Sequence, residues 1–257
     1  MIHETATVHP DALLGRDVSV GAYACIGPDV ELGNGCRVGA HAVLEGPMRI
    51  GDDNMIGPHA VLGTPPQDIA YRDEPTRLEI GHRNTIREFV TMHRASTKAE
   101  RLTAVGDDNM FMAYSHIGHD CRVGNHVVMA NGATLAGHVT IHDHVNIAGL
   151  CAIHQFARVG AHAMLGGGTM APMDIPPFAM ASGNHAKLYG LNRRGLQRHG
   201  FDQQSIAAIR KAYRLLFQSG LRLQQALAAI EGDSGLDYPP IRYLVEFVRG
   251  SERGITR

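Results

Sequence analysis

An aliphatic or similar apolar residue recurs at every sixth position through most of the first 165 residues. A period of six does not match the 3.6 residues per turn of an α-helix, whereas short strands separated by turns can repeat at this interval. No other feature restricts the possible folds as strongly. The anchor residues are Ile2, Val8, Leu14, Val20, Ile26, Leu32, Val38, Leu44, Ile50, Ile56, Leu62, Ile80, Ile86, Met92, Val105, Phe111, Ile117, Val123, Met129, Leu135, Ile141, Ile147, Ile153, Val159 and Leu165.

The positions between the anchors follow the same repeat. Glycine often comes directly after an anchor, where it suits a turn, and a small residue usually stands four positions after it. Three of the four cysteines, Cys36, Cys121 and Cys151, occupy this small-residue position, so we interpret them as buried structural residues. The repeat is typical of a parallel β-helix, a quasi-one-dimensional solenoid, and predicts a mainly β protein.

Two stretches interrupt the repeat, and a third ends it. Segments 63–79 and 93–104 are polar or proline-containing, and we expect both to be loops that leave the solenoid. After about residue 170 a proline-rich connection leads to three segments with apolar residues at helical spacing, 205–218, 221–232 and 241–250. The sequence therefore predicts a β-helix over 1–183 and an α-helical domain over 184–257.

Composition excludes several classes of protein. The formal net charge of -1 argues against a nucleic-acid partner. No apolar run is long enough to span a membrane, and the first residues, MIHETATVHP, lack the features of a signal peptide. No cysteines form a CxxC pair, and four free thiols suit a reducing compartment. We expect a cytoplasmic protein without an integral membrane segment.

Histidine is abundant, with 16 residues in the chain. If three hexapeptides form one coil, residues 18 apart stack on successive coils, and His119 lies against Gly137 and Gln155. The same count places Met92 beneath Ile117 and brings the two loops to the same ridge. The imidazoles that we expect to share this edge are His93, His116, His119, His138 and His154. His126, His142, His144 and His162 are expected to lie elsewhere.

Two chemistries fit such a column. Three imidazoles can bind zinc and leave one coordination position open, provided that three nitrogens converge. Alternatively, His119 acts as a general base, and the backbone N–H of Gly137 stabilises a tetrahedral oxyanion, an arrangement suited to acyl transfer. An imidazole titrates near neutral pH and is suited to the second role. The pattern alone leaves both open.

Specific motifs along the whole chain favour acyl transfer. The chain resembles the UDP-N-acetylglucosamine 3-O-acyltransferases, which catalyse the first step of lipid A synthesis. The motifs that carry the resemblance are PQD (66–68), EPTR (74–77), VTMHR (90–94), YSHIGHDC (114–121), LAGHV (135–139), IHQF (153–156) and GNHA (183–186). The resemblance implies a left-handed β-helix, opposite to the usual hand of parallel crossovers. It also implies a homotrimer whose sites lie between solenoids, without a cofactor or a metal.

The resemblance also implies roles for individual residues. The reaction would move an (R)-3-hydroxyacyl chain from acyl carrier protein to the 3-hydroxyl of the UDP-sugar. His119 would be the general base, Asp120 would support it, and the Gly137 N–H would bind the oxyanion. Contacts to the UDP-sugar would come from Gln67, Asp68, His116, His138, His154, Gln155, Asn192 and Arg198, and Gly167 and His185 would line the acyl groove.

Segment 187–222 contains eight basic residues and one acidic residue, Asp202. This surplus is either a solvated helix face or a docking surface for an acidic partner. The resemblance favours docking of acyl carrier protein, and we assign this role to Arg210, Lys211 and Arg214.

The sequence departs from the family pattern at Ala70, where well-known members have a lysine, and at Arg194 and His199. These departures leave His119 and Gly137 in place but put the acceptor in question. The same chemistry on a 3-amino UDP-sugar, which forms an amide, is the alternative that we keep. The other rivals are an acetyl-CoA-dependent hexapeptide acyltransferase, a hexapeptide-repeat carbonic anhydrase with bound zinc, and a non-catalytic scaffold.

Overall fold

The computed structural model describes residues 1–257, in which 27 short strands precede four α-helices. The first nine strands are β1 (Thr7–Val8), β2 (Leu13–Leu14), β3 (Ser19–Val20), β4 (Cys25–Ile26), β5 (Val30–Leu32), β6 (Arg37–Val38), β7 (Val43–Leu44), β8 (Met48–Ile50) and β9 (Met55–Ile56). The next nine are β10 (Val61–Thr64), β11 (Arg77–Ile80), β12 (Thr85–Ile86), β13 (Thr91–His93), β14 (Leu102–Val105), β15 (Met110–Phe111), β16 (His116–Ile117), β17 (Arg122–Val123) and β18 (Val128–Met129). The last nine are β19 (Thr134–Leu135), β20 (Thr140–Ile141), β21 (Asn146–Ile147), β22 (Ala152–Ile153), β23 (Arg158–Val159), β24 (Met164–Leu165), β25 (Met170–Ala171), β26 (Ala179–Ser182) and β27 (Lys187–Leu191).

The strands form three sheets, and through the solenoid each sheet takes every third strand in parallel order. Within the regular coils the register advances by 18 residues, so that Ile117 pairs with Leu135 and Leu135 pairs with Ile153. Three hexapeptides therefore make one coil, as the sequence predicts. The chain is a parallel β-helix with one sheet on each side of a triangular prism.

The anchor residues fill the centre of the prism. From Val20 onward they belong to a continuous cluster of 43 buried residues, in which Ile117, Leu135 and Met129 have no exposed surface. The small-residue position is buried too: the Sγ atoms of Cys36 and Cys121 each lie 3.1 Å from a backbone carbonyl of the next coil. Burial raises the pKa of Cys121 to about 12, so this thiol is a packing group rather than a nucleophile.

The corners of the prism depend on a left-handed backbone conformation. Positive φ falls mainly on the residue three positions after each anchor. The glycine directly after the anchor is not the residue that turns the chain. A Cβ at Gly21, for example, would lie 2.6 Å from the backbone nitrogen of Ala40 on the next coil. The prediction that these glycines form the turns is therefore wrong, since they permit close contact between coils. Six corner residues are histidines: His41, His59, His126, His138, His144 and His162.

Two loops leave the solenoid from the same face. The first loop, residues 65–76, connects β10 to β11, and the second loop, residues 94–101, connects β13 to β14. Both are shorter than predicted, because the flanking strands extend into the segments that break the six-residue repeat. Met92 pairs with both Leu62 and Ile117, which brings both loops to the ridge that carries His119.

The chain ends in a small helical unit. The helices are α1 (Arg193–Arg198), α2 (Gln203–Phe217), α3 (Leu223–Glu231) and α4 (Pro239–Arg249), with a short 3₁₀ helix at Ser234–Leu236. They enclose a second apolar cluster of 15 buried residues, into which Phe178 also packs. None of these helices combines the length and apolar composition required to cross a bilayer.

The sheet continues beyond the predicted domain boundary at residue 184. Strand β27 pairs antiparallel with β26, and the first helix begins only at Arg193. The three predicted helices correspond to α2, α3 and α4. Helix α1 was not predicted, because six residues with two adjacent arginines and a glycine carry no clear apolar period.

Candidate active site

His119 and Asp120 lie in the turn that follows strand β16. The Nδ1 atom of His119 is 2.7 Å from Oδ2 of Asp120, and the Asp120 side chain is only 1 % exposed. Asp120 adopts the left-handed corner conformation, with φ of 61°, which aspartate tolerates better than most residues. The corner of the solenoid thus supplies the backbone geometry that places this carboxylate against the neighbouring imidazole.

Hydrogen bonds hold the Asp120 carboxylate in place. Its Oδ2 atom accepts from the backbone N–H and the hydroxyl of Ser96, at 3.0 and 2.7 Å, and Nε2 of His138 lies 3.6 Å away. Burial alone would raise the pKa of Asp120, but hydrogen bonds from His119 and Ser96, together with the field of His138, lower it below its usual value. Asp120 is therefore an ionised acceptor at neutral pH.

This contact determines which nitrogen of His119 carries the proton. The carboxylate accepts from Nδ1–H, which leaves the lone pair on Nε2 available as a base. An imidazole oriented by a buried carboxylate is the arrangement that proton-transferring histidines use. His119 is partly accessible, with 18 % of its side chain exposed.

Gly137 lies directly against His119 on the next coil. A Cβ at position 137 would be 2.6 Å from Cε1 and 2.7 Å from Nε2 of His119, so the imidazole occupies the space that any side chain would need. The backbone N–H of Gly137 donates no hydrogen bond within the chain, whereas that of His138 is bonded to the His119 carbonyl. A free N–H beside the reactive edge of the ring can bind a developing oxyanion.

Two further imidazole contacts accompany this pair. His93 and His116 meet edge to face with ring centroids 5.1 Å apart, and Nδ1 of His116 lies 2.7 Å from the Thr91 hydroxyl. Burial is the main reason that the pKa of His116 falls to about 4, so this ring is neutral at pH 7. His138 meets His119 edge to face and stacks on Phe156.

His154 and Gln155 lie on the coil above and are both exposed. The Nδ1 atom of His154 is 3.0 Å from Nη2 of Arg253, which comes from the chain end beyond α4. His154 makes no ring contact with the other four histidines, so the predicted column consists of two contacting pairs and one separate imidazole. Arg253 was not among the predicted site residues.

The first loop brings Asp68 to the same ridge. Its Oδ2 atom is 2.7 Å from Nζ of Lys98 in the second loop, and its pKa is lowered mainly by that contact and by the N–H of Ala70. The charge of His119 also contributes to this lowering, and Lys98 belongs to the loop in which Ser96 donates to Asp120. Gln67 is exposed beside it.

Asn192 and Arg198 lie at a different corner of the prism. Together with His144 and His199 they line a cavity of about 550 Å³ between the solenoid and α1. Asn192 caps this helix by accepting from the Gly195 N–H, and its side-chain amide donates to the carbonyl of His162. The residues predicted to contact the UDP-sugar therefore fall into two separate groups within one chain.

Three of the four histidines that were expected to lie away from the predicted column form a second column at this corner, and two of them, His126 and His144, line the cavity. His126, His144 and His162 stack with ring centroids 4.7 Å apart, and Nδ1 of His162 lies 2.9 Å from Nδ1 of His199. Their 18-residue spacing, the same as that of His119 and Gly137, was the signal that could have revealed them.

Two groups have the donor atoms that a metal ion would need. One consists of His144, His162 and His199, and the other of His119, Asp120 and His138. The predicted catalytic edge thus brings together two imidazoles and one carboxylate, not three imidazoles.

The remaining predicted residues lie on the surface. Gly167 and His185 are exposed at the last coils. Arg210, Lys211 and Arg214 line one shallow cavity on α2, where Lys211 also pairs with Asp233.

Comparison with known proteins shows which families this chain resembles. Residues 11–46 and 103–137 match the bacterial transferase hexapeptide repeats, and residues 174–256 match the second domain of UDP N-acetylglucosamine O-acyltransferase. An acyl-[acyl-carrier-protein]–UDP-N-acetylglucosamine O-acyltransferase of Paraburkholderia phymatum is 52 % identical, over 100 % of this chain and 99 % of the relative.

Solved structures agree over the whole chain. The UDP-N-acetylglucosamine acyltransferase of Bacteroides fragilis is 38 % identical with a TM-score of 0.97, covering 100 % of both chains. That of Francisella novicida is 33 % identical with a TM-score of 0.97, covering 100 % of this chain and 94 % of the other.

The fold and the site define a hexapeptide-repeat acyltransferase, and the β-helix is left-handed, as expected. Within that class, the chain belongs to the acyl-[acyl-carrier-protein]–UDP-N-acetylglucosamine O-acyltransferase family.

Proposed function

We propose that this protein transfers an (R)-3-hydroxyacyl chain from acyl carrier protein to the 3-hydroxyl of UDP-N-acetylglucosamine, the first step of lipid A synthesis. The observation that carries the proposal is the contact of 2.7 Å between His119 Nδ1 and Asp120 Oδ2, with the unpaired Gly137 N–H beside the ring. Family membership supplies the substrates. The cytoplasmic location expected from the sequence stays a prediction.

The reaction follows from these groups. Nε2 of His119 removes the proton of the sugar hydroxyl while its oxygen attacks the carbonyl carbon of the acyl thioester. The carbonyl oxygen becomes an oxyanion that accepts a hydrogen bond from the Gly137 N–H. Collapse of the tetrahedral intermediate breaks the carbon–sulfur bond, and the leaving thiolate takes the proton from His119. Asp120 stabilises the imidazolium that exists between the two proton transfers.

The division of the predicted residues between two corners supports a shared site. His119 and Asp68 lie on one ridge, whereas Asn192 and Arg198 line the cavity at another corner of the same chain. If both groups contact one UDP-sugar, the second group must come from a neighbouring copy. The homotrimer implied by the family resemblance would meet this requirement, because each ridge could face the cavity of the next subunit.

The basic surface on α2 is the proposed docking site for acyl carrier protein. Arg210 and Arg214 make no ion pair within the chain, so their charges are available to an acidic partner. Lys211 is already paired with Asp233, and we expect it to contribute less than the two arginines.

A 3-amino UDP-sugar is the alternative acceptor. Its amine would use the same base and oxyanion donor, and Ala70 leaves the acceptor side different from that of well-known members. The geometry gives a zinc-dependent carbonic anhydrase less support, because three imidazoles do not converge on the catalytic edge.

The deciding experiment offers both acceptors to the purified protein with an (R)-3-hydroxyacyl carrier protein. Ester formation on UDP-N-acetylglucosamine is the expected result. Turnover of the 3-amino sugar alone would move the product to an amide and overturn the proposed acceptor. Transfer to neither, in a protein that contains stoichiometric zinc, would overturn acyl transfer altogether.

A further inference from the structure

The second loop is attached to the catalytic carboxylate. Ser96 donates both its backbone N–H and its hydroxyl to Oδ2 of Asp120, and the backbone N–H of Lys98 donates to the Ser96 hydroxyl at 3.3 Å. Ser96 is almost fully buried, with 2 % exposure. The backbone position of Lys98 is therefore defined by the same hydrogen-bond network that orients His119.

From this position, Lys98 reaches the first loop. Its Nζ atom lies 2.7 Å from Oδ2 of Asp68, whose other oxygen accepts from the Ala70 N–H at 2.9 Å. The Asp68 side chain is 9 % exposed, whereas that of Lys98 is 57 % exposed. The ammonium group thus approaches a mostly covered carboxylate from the solvent side and joins the two loops.

This ion pair lies within the electrostatic range of the catalytic imidazoles. The charges of Lys98 and Asp68 both act on the pKa of His138, in opposite directions, although burial is the main cause of its lowering. The pKa of Asp68 responds to His119. An exposed lysine–aspartate pair remote from any site would contribute little to folding stability. Its location, rather than its strength, indicates a role in the site.

We propose that Lys98 is a positioning residue that holds the first loop over the catalytic pair and fixes the Asp68 carboxylate where the acceptor sugar binds. This inference rests on the proposed function for the role of Asp68, but the joining of the loops by Lys98 does not. The proposal also accounts for Ala70, which stands where well-known family members have a lysine. Here Lys98 of the second loop supplies the ammonium group that residue 70 does not.

The kinetic test uses Lys98→Met, Asp68→Asn and the double variant. We expect Lys98→Met to raise the KM for the UDP-sugar about 10-fold with little change in kcat or in the KM for acyl carrier protein, because the chemistry at His119 is intact. The increases in KM caused by Lys98→Met and by Asp68→Asn should not multiply in the double variant, since each change breaks the same ion pair. Unchanged KM in Lys98→Met, or independent effects in the double variant, would overturn the proposal.

A second change tests whether the position of the cation matters. Ala70→Lys introduces an ammonium group two residues from Asp68. In the Lys98→Met background it should lower the KM for the UDP-sugar most of the way back to the wild-type value. Glu100→Gln is the matched control, because it removes an exposed ion pair with Arg122 from the same loop without touching Asp68. A rise in KM for Glu100→Gln as large as that for Lys98→Met would show a general effect of loop charge and refute the specific role.

Hydrogen exchange separates this inference from the proposed function. Amides of residues 65–76 should exchange faster in Lys98→Met than in wild type or Glu100→Gln, whether or not the protein turns over either sugar. Equal exchange in the three proteins would refute the joining of the loops by Lys98. If the wild-type protein shows no acyl transfer but Lys98→Met still exchanges faster, only the proposed function is refuted.

Discussion

Replacing Gly137 by alanine tests the catalytic geometry with one methyl group. The new Cβ would lie 2.6 Å from Cε1 and 2.7 Å from Nε2 of His119. Non-bonded carbon atoms are most favourable at about 3.5–4.0 Å, so the imidazole would have to move by roughly 1 Å. A displacement of that size at a reacting group can cost about 10²-fold in rate. We therefore expect kcat to fall about 100-fold.

The assay is acyl transfer to UDP-N-acetylglucosamine under saturating conditions, with thermal unfolding and oligomeric state measured beside it. Gly27→Ala is the control, since its Cβ would meet nothing closer than the Leu44 carbonyl oxygen at 3.3 Å, on a coil remote from His119. We expect Gly137→Ala to remain folded, because the ring is partly exposed and can move. Wild-type kcat in Gly137→Ala would refute the assignment of the His119 ring and its neighbouring N–H as the reactive centre.

Three further predictions follow from the site and its surroundings. His119→Ala should keep the fold and lose about 10²–10⁴-fold in kcat, as the removal of a general base does, and near wild-type turnover would contradict the mechanism. Replacing Arg210, Lys211 and Arg214 by glutamate should raise the KM for acyl carrier protein and weaken its salt dependence; a KM and salt dependence that stay the same would exclude this docking surface. Burial lowers the pKa of His116 from 6.5 to about 4, so the unfolded chain binds this proton more readily than the folded chain. Stability should therefore fall as the pH drops from 6.5 towards 4, by on the order of 3 kcal/mol at most, and the melting temperature of His116→Gln should depend less on pH than that of wild type; an identical pH dependence would show that His116 titrates normally.

The six-residue repeat predicts the solenoid because each anchor has the same environment on every coil. Burial of Ile117, Leu135 and Ile153 in one stack needs only local strand formation and a fixed coil length. The same regularity correctly placed His119 against Gly137 from a count of 18 residues. It also placed Met92 beneath Ile117 despite the intervening loop.

The repeat could not predict contacts that involve the loops. Ser96 and Lys98 occupy the second loop, which has no periodicity, and their contacts with Asp120 and Asp68 depend on how that loop folds back over the ridge. Arg253 reaches His154 from almost 100 residues away, after the helical unit has packed against the solenoid. No spacing in the sequence contains this information.

The histidines also show the difference between what the repeat predicts and what depends on tertiary contacts. Six of the 16 histidines occupy corners with positive φ, a conformation in which histidine is enriched among residues other than glycine. His126, His144 and His162 stack for this reason, and His144 and His162 contact the ring of His199 only because α1 packs against this corner. Composition revealed that histidine mattered but did not separate turn residues from the catalytic group.

The sequence alone determined the β-helix, its coil length, the three main helices and the edge that carries His119, because these depend on short-range periodicity that repeats along the chain. The tertiary structure decided which nitrogen of His119 is free, which loop residues hold Asp120 and Asp68, and why the predicted site residues divide between two corners. These features arise from side chains that are distant in sequence and meet only after the coils, loops and helices have packed.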